Sequence, residues 1–584
     1  MCLLSHDDSS DLVICDHGYQ EVLKMEGAHM DAFPDTIPEI DKRLHALHAE
    51  ISALKTKRNT LVPIFRLPDE LIRHIVELYA HSSDSLFNLA WTKLMWVCRR
   101  WAEIVFSLQE LWGYIDLGTN VHKIYSKIDA QVKYSGVAPL TFKAYLLDTD
   151  YFVRWAVSEN ATRVRSLTLE GRTKHVSTLI AALPDLHLTA LASLSVSHYA
   201  GEDAPGSTVV IPAELFDGRL PRLRELCFKE SSSISAPWSL FRNLERLTLT
   251  GCTNSSSDSP ATVDDVLQVL AASPNLKMLA LQPKASLLPV VNREPITLPM
   301  LQYLYIRDYI SPTTVLLNAL RFPPTSIIQI YPHGIYTGND IRNVLVPMRT
   351  HLRARAAPRL PFFTLRAFIG PNDRSDFVCT MELGDSESSS GRYYHTQLDE
   401  IDGTSTSLVL NSHPNSEPAL RQIVTKFLNT ARADVVTHLD ASEVRDMGEA
   451  SWRTILRLLP ALNSLRVTLS AAPTFNARSF LGLCQALCKL EANSHIRVFN
   501  LQLYSFSLRG ESNDFNGAWL VEPMTMLKAY VRHRRAQYDA SPDTVTPPRI
   551  ARHPRRSQSV AFADPSTANE EHLPAAPWNG CYQA

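Results

Sequence analysis

At 584 residues, 45% apolar and 20% charged, the chain is long enough for two or more domains and has the composition of an ordinary globular protein. A formal net charge of -2 gives no overall field that would draw in nucleic acid or an acidic membrane, and no apolar run approaches the roughly eighteen residues of a membrane span. Nine scattered cysteines suit small apolar packing in a reducing compartment. Asp7 and Asp8 follow the short Met1-Cys2-Leu3-Leu4 run too soon for a secretory signal, so a cytoplasmic or nuclear protein is expected.

In chain order, residues 1–36 are expected to be disordered, and 37–62 carry a heptad seam. Ile40, Leu44, Leu47, Ile51, Leu54 and Leu61 alternate four- and three-residue steps, with Arg58 in the one seam position that is not apolar. A helix of this length is marginal alone in water. It must therefore pair with a second copy or fold back onto its own chain, and we favour the second.

Next comes Leu67-Pro68-Asp69-Glu70-Leu71-Ile72, followed by Val97-Cys98-Arg99-Arg100-Trp101 and Leu111-Trp112. Pro68 suits a first helical position, and Asp69 and Glu70 place negative charge at the favourable end of the helix dipole. Leu71, Ile72, Ile75, Val76, Leu78 and Tyr79 recur at helical spacing until His81–Ser85 interrupts them. A second helical pattern carries Leu86, Phe87, Leu89 and Ala90, and a third carries Leu94, Val97, Cys98, Trp101, Ile104 and Val105. Three short helices are predicted over 63–117, in a bundle too small to be robust without a neighbour or partner.

This window resembles an F-box, and the heptad helix running into it resembles the F-box-like proteins abundant in mushroom-forming fungi. The resemblance implies that Leu67, Pro68, Ile72, Val97 and Trp101 form the surface offered to a Skp-type adaptor, while Leu71, Ile75, Ile104, Leu111 and Trp112 pack internally. Here the link between the first two helices is long, and Trp91 and Trp96 add bulk outside the family pattern. The competing reading, which we favour less, is that the same positions are simply the core of a helical subdomain.

After a linker or first cap at 118–160, short phrases of the form apolar-x-x-apolar-x-apolar recur over 161–510. They are Val164-Leu167-Leu169, Leu191-Leu194-Val196, Leu223-Leu226-Phe228, Leu244-Leu247-Leu249, Leu276-Leu279-Leu281 and Leu301-Leu304-Ile306. Val436-Leu439-Ala441, Leu462-Leu465-Val467 and Val498-Leu501-Leu503 repeat the phrase more weakly. One phrase means little in so apolar a chain, but leucine nearly always fills the second position. The run resembles an irregular leucine-rich repeat, in which each phrase forms one parallel strand and segments such as Val263–Leu270 form helices that stop at Ser273-Pro274. An ordinary α/β domain is the alternative. Asp385–Gly391 is expected as an exposed insertion.

A last helix is expected at 511–536, around Met524, Met526, Leu527, Tyr530 and Val531, before a disordered tail at 537–584. In that tail Arg552, Arg555 and Arg556 could serve nuclear import or flank a phosphorylated Ser557 or Ser559. Cys484 and Cys488 lie four apart, but Leu481, Leu483 and Leu487 mark their helix as packed rather than metal-binding. No Gly-rich phosphate loop, nucleophile elbow or His-Glu-x-x-His is present.

The sequence therefore predicts an α/β chain: a heptad helix, a short helical F-box bundle and an irregular leucine-rich-repeat solenoid. The expected role is the non-enzymatic substrate receptor of an SCF-type ubiquitin ligase. It would hold the Skp-type adaptor and cullin scaffold at one end and an unidentified client protein at the other. No catalytic residue, cofactor, metal, nucleic acid or membrane is expected. The competing class is an interaction scaffold whose bundle binds no ligase.

Overall fold

The computed structural model describes residues 36–504 apart from short breaks and the stretches 200–208, 255–261, 370–376, 385–405 and 490–497, with scattered positions between 522 and 536. The chain divides into two compact units. Of the described residues, one holds those up to Ser85 with Leu89–Ser107, the other Leu86–Asn88 with those from Leu108 onward. The expected disordered ends, the Asp385–Gly391 insertion and the Arg552–Ser559 motif lie outside the described residues, save Thr36.

In the first unit, α1 (Ile37–Leu61) starts with the Thr36 hydroxyl donating to Glu39 at 2.8 Å and runs for about 37 Å. Its seam is not covered as the fold-back expectation required. Ile37, Ile40, Leu44, Leu47, Ile51, Leu54 and Leu61 are between 41% and 76% exposed. A 3-10 turn (Pro63–Arg66) leads into α2 (Asp69–Ser82), and α3 (Arg99–Ser107) closes the unit. The expected second helix is broken in two: one α-helical turn, Ser85–Asn88, ends where Leu89 adopts a left-handed conformation (φ 60°), and a 3-10 run, Ala90–Trp96, follows.

The second unit is organised by one sheet. Its strands are β1 (Tyr114–Leu117), β2 (Leu140–Leu146), β3 (Val164–Arg172), β4 (Ser193–Tyr199), β5 (Glu225–Lys229), β6 (Arg246–Thr250), β7 (Met278–Gln282) and β8 (Tyr303–Ile306). There follow β9 (Ile327–Ile330), β10 (Phe362–Ile369), β11 (Phe377–Gly384), β12 (Thr406–Ser412), β13 (His438–Asp440), β14 (Ser464–Ser470) and β15 (Val498–Tyr504). Strands β1 to β9 lie side by side in chain order, then β12, β11 and β10 enter reversed, then β13 to β15. Among the described residues only β11 runs antiparallel to its neighbours in this sheet.

In all nine phrases read from the sequence the second apolar position lies on a strand of this sheet. Register explains why leucine dominates them. Phe142, Leu167, Leu194, Leu226, Leu247, Leu279, Leu304 and Ile328 are successive partners across β2 to β9, and Ala144, Leu169, Val196, Phe228, Leu249, Leu281, Ile306 and Ile330 form a second such row. Every one of them is buried in a single continuous core. No strand covers its own apolar face, so each turn is stabilised by the next. The second unit is an irregular leucine-rich-repeat-like solenoid.

Helices cover that face between strands. In α4 (Val263–Ala271), Thr262 and Asp265 form a reciprocal capping box, and Val263, Val266, Leu267, Val269 and Leu270 are buried. Two expected boundaries shift. Residues 118–160, read as a linker or first solenoid cap, carry β2 and two helices, and the sheet begins earlier, at Tyr114. Leu111 and Trp112, expected inside the helical bundle, belong to the second unit, where Trp112 packs on Tyr134 with ring centroids 4.9 Å apart. Of the 511–536 helix, Tyr530 is described within the main core and Met526 against it.

Candidate functional site

Arg100 organises the helical unit. Its Nε and Nη2 donate to Asp69 Oδ1 at 2.8 and 2.5 Å, Nη1 donates to the Phe65 carbonyl at 2.7 Å, and Nη2 also donates to the Leu67 carbonyl at 2.6 Å. The planar fork thus fastens the Phe65–Asp69 turn to the start of α3, a task for which a lysine lacks the geometry. Behind it Ile72, Trp101 and Ile104 form a small core with Phe65, Leu67, Leu94 and Cys98 packed around it.

Of the five residues expected on the adaptor-facing surface, Pro68 and Val97 are exposed and Leu67 is half-buried against that core. Ile72 and Trp101 are interior, a correction to the expected surface. Conversely Leu71 and Ile75, expected inside, face outward. The cause is that α2 is apolar on two sides: Ile72, Val76 and Ala80 point in, while Leu71, Ile75 and Leu78 make a stripe at i, i+4, i+7 on the outside. Trp96, which the sequence left unplaced, is 86% exposed; Trp91 is fully buried. This is a large share of outward apolar surface for so small a body.

The sheet of the second unit offers a different surface, on the face away from the leucine rows. Across β1 to β6 it carries the row Asp116, Lys143, Thr168, Ser195, Cys227 and Thr248, with Lys143 3.8 Å from Glu170. On β7 to β9 the character changes. Tyr303 and Tyr305 form a separate apolar cluster with Ala280, bordered by Met278, Ile327 and Tyr331. Tyr303 donates to Gln329 at 2.8 Å, Tyr305 to Gln282 at 3.3 Å, and the Tyr305 and Tyr331 rings lie 5.3 Å apart. Burial pushes both phenol pKa values up, so these hydroxyls act as neutral hydrogen-bonding groups.

Farther along, Thr364, Arg366, Thr380, Glu382 and Asp440 are buried polar residues alternating with the core residues Phe363, Leu365, Cys379, Met381 and Leu439, and Arg466 lies 4.0 Å from Asp440. The sheet face therefore passes from mixed charged and small polar, to tyrosine-rich, to buried polar and charged. The tyrosines occupy two of the three variable positions of the phrase Leu301-Leu304-Ile306, beside Gln302, a signal in the sequence that attention to the leucines alone overlooks.

The corner after β8 also departs from the repeat pattern. Asp308 accepts from the Tyr309 amide at 2.7 Å and from the Leu287 amide at 3.2 Å, tying adjacent turns, while burial raises its pKa against those two bonds. Cys484, on α5 (Pro473–Lys489), is buried and its thiol is pushed up to about 12, chiefly by desolvation, which suits packing. Among the described residues no helix is long and apolar enough to cross a membrane.

No family model and no curated protein matches the chain. Among solved structures, it is similar to a chain of the yeast Rad7–Elc1 complex, at a TM-score of 0.30 and 9% identity over 82% of this chain and 97% of that one. It is also similar to the leucine-rich repeat-containing protein LegL7 from Legionella pneumophila, at a TM-score of 0.26 and 10% identity over 75% of this chain and 100% of the other. Neither likeness bears on function.

Proposed function

We propose that this chain is a non-catalytic substrate receptor of an SCF-type ubiquitin ligase. The helical unit docks a Skp-type adaptor and through it the cullin scaffold, and the open face of the sheet holds a client protein. Ubiquitin transfer is then carried out by the ligase's own catalytic subunits on a client kept near them, so the chain contributes raised effective concentration rather than reacting groups.

One observation carries this reading: the outward stripe of Leu71, Ile75 and Leu78, with Trp96, on a unit whose Leu67-Pro68 turn is fastened from behind by Arg100. Its resemblance to an F-box supplies the identity of the partner. On the client side, the half-buried row of Asp116, Lys143, Thr168 and Ser195, rather than the buried Tyr303 and Tyr305, offers the hydrogen-bonding groups a client would meet.

Affinity capture tests the proposal. The tagged chain should retain a Skp-type adaptor and a cullin, and Leu71→Asp with Leu78→Asp should lose both while the thermal midpoint stays within about 3 °C, since both side chains are solvent-facing. Capture of neither subunit by the wild type would leave an interaction scaffold with no ligase attached.

A further inference from the structure

The exposed seam of α1 requires an occupant, and its charges choose among the candidates. Assigning Ile37, Leu44, Ile51 and Arg58 to the first core position of each heptad and Ile40, Leu47, Leu54 and Leu61 to the fourth places Arg43, Glu50 and Lys57 on one flank. Asp41, His48 and Lys55 lie on the other. In a parallel, in-register pair each flank meets the opposite flank of the partner helix one heptad on, so Glu50 meets Lys55 of the other copy, and the contact occurs twice by symmetry. An antiparallel pair instead sets Glu50 against Glu50 and Arg43 against Lys57, repulsions that outnumber its one kind of attractive contact, Asp41 with Lys55. The flanks thus favour one orientation.

We infer that α1 is a self-recognition element: it pairs with α1 of a second copy of this chain as a parallel, two-stranded coiled coil. The 25-residue helix gives about three and a half heptads, enough for such a seam. Ile51 followed by Leu54 is the core pairing that favours two strands. Arg58 sits near the end of the seam, and its guanidinium turns to Asn59 Oδ1 at 3.3 Å, which lessens its clash with its counterpart. A lone polar core position near one end also opposes slipped alignments, which would drive Arg58 against leucine. This pairing is independent of whether the helical unit binds a ligase, and it would make the receptor bivalent for clients.

Sedimentation of the full chain at tens of micromolar tests it. The expected mass is twice the 65.5 kDa of one chain, falling to one chain for Ile51→Asp with Leu54→Asp. Glu50→Lys and Lys55→Glu should each weaken self-association about tenfold, and an equimolar mixture of the two variants should recover it as a heterodimer. Under mild oxidation Leu44→Cys should give an interchain disulfide that neither the wild type nor Ala53→Cys gives. A single-chain mass for the wild type would overturn the proposal, as would cross-linking that needs Leu44→Cys and Leu54→Cys together, the signature of an antiparallel pair.

Discussion

The two units of this protein treat apolar side chains in opposite ways. In the solenoid, leucines at matched registers stack from β2 to β9 into one buried core, and each turn borrows its neighbour to cover itself. In the helical unit the buried apolar residues described are few, Ile72, Val76, Ala80, Trp91, Trp101, Ile104 and Val105, while Leu71, Ile75, Leu78 and Trp96 stay outside. Repetition lets the first surface close on itself. The second is too small to do so, and what remains outside is available to another chain.

Leucine to aspartate in each unit should break this comparison open. Leu247→Asp places a charge in the middle of the buried row and should cost more than about 4 kcal/mol, seen as loss of cooperative unfolding of the solenoid, whereas Leu71→Asp should change stability by less than about 1 kcal/mol. Equal effects would show that the outward stripe is buried in solution. Arg100→Ala comes next, at about 2 kcal/mol, because two backbone carbonyls and Asp69 lose a shared charged donor. Arg100→Lys should recover less than half of that, as measured by urea unfolding of the helical unit.

A smaller effect, about 1 kcal/mol, is expected for Thr262→Ala, which removes the capping box of α4. The smallest concerns Glu245, whose carboxyl is held below its ordinary pKa mainly by the hydrogen bond from Lys277 at 2.6 Å. A depressed folded pKa stabilises above the unfolded pKa, and that contribution is lost as pH falls through the folded value. The pair is solvent-exposed, so Glu245→Gln should lower stability at neutral pH by less than about 1 kcal/mol and leave stability below the folded pKa nearly unchanged, flattening the acid limb of the profile.

The same contrast governs what could be read from the chain. All nine strand phrases were legible because a buried parallel row demands apolar residues at fixed positions and gives leucine a reason to recur. Strands β10, β11 and β12 escaped because they enter out of order around an antiparallel strand, where the phrase no longer applies. In α2 the periodicity was plain, but a helix apolar on two sides does not announce which side faces in. Ile72 and Leu71 therefore exchanged places relative to expectation. Arg100 was visible in Cys98-Arg99-Arg100-Trp101, yet its contacts span more than thirty residues and only the fold brings them together.

The most direct test of the account is a binding titration of purified Skp-type adaptor against the full chain and its Leu71→Asp/Leu78→Asp variant, with both proteins shown folded by their unfolding curves. The account predicts saturable one-to-one binding per chain by the wild type and at least about a hundredfold weaker binding by the variant, the loss expected when central apolar anchors become charged. Binding of equal strength by both, or by neither, would contradict the claim that the outward face of α2 is a docking surface for that adaptor.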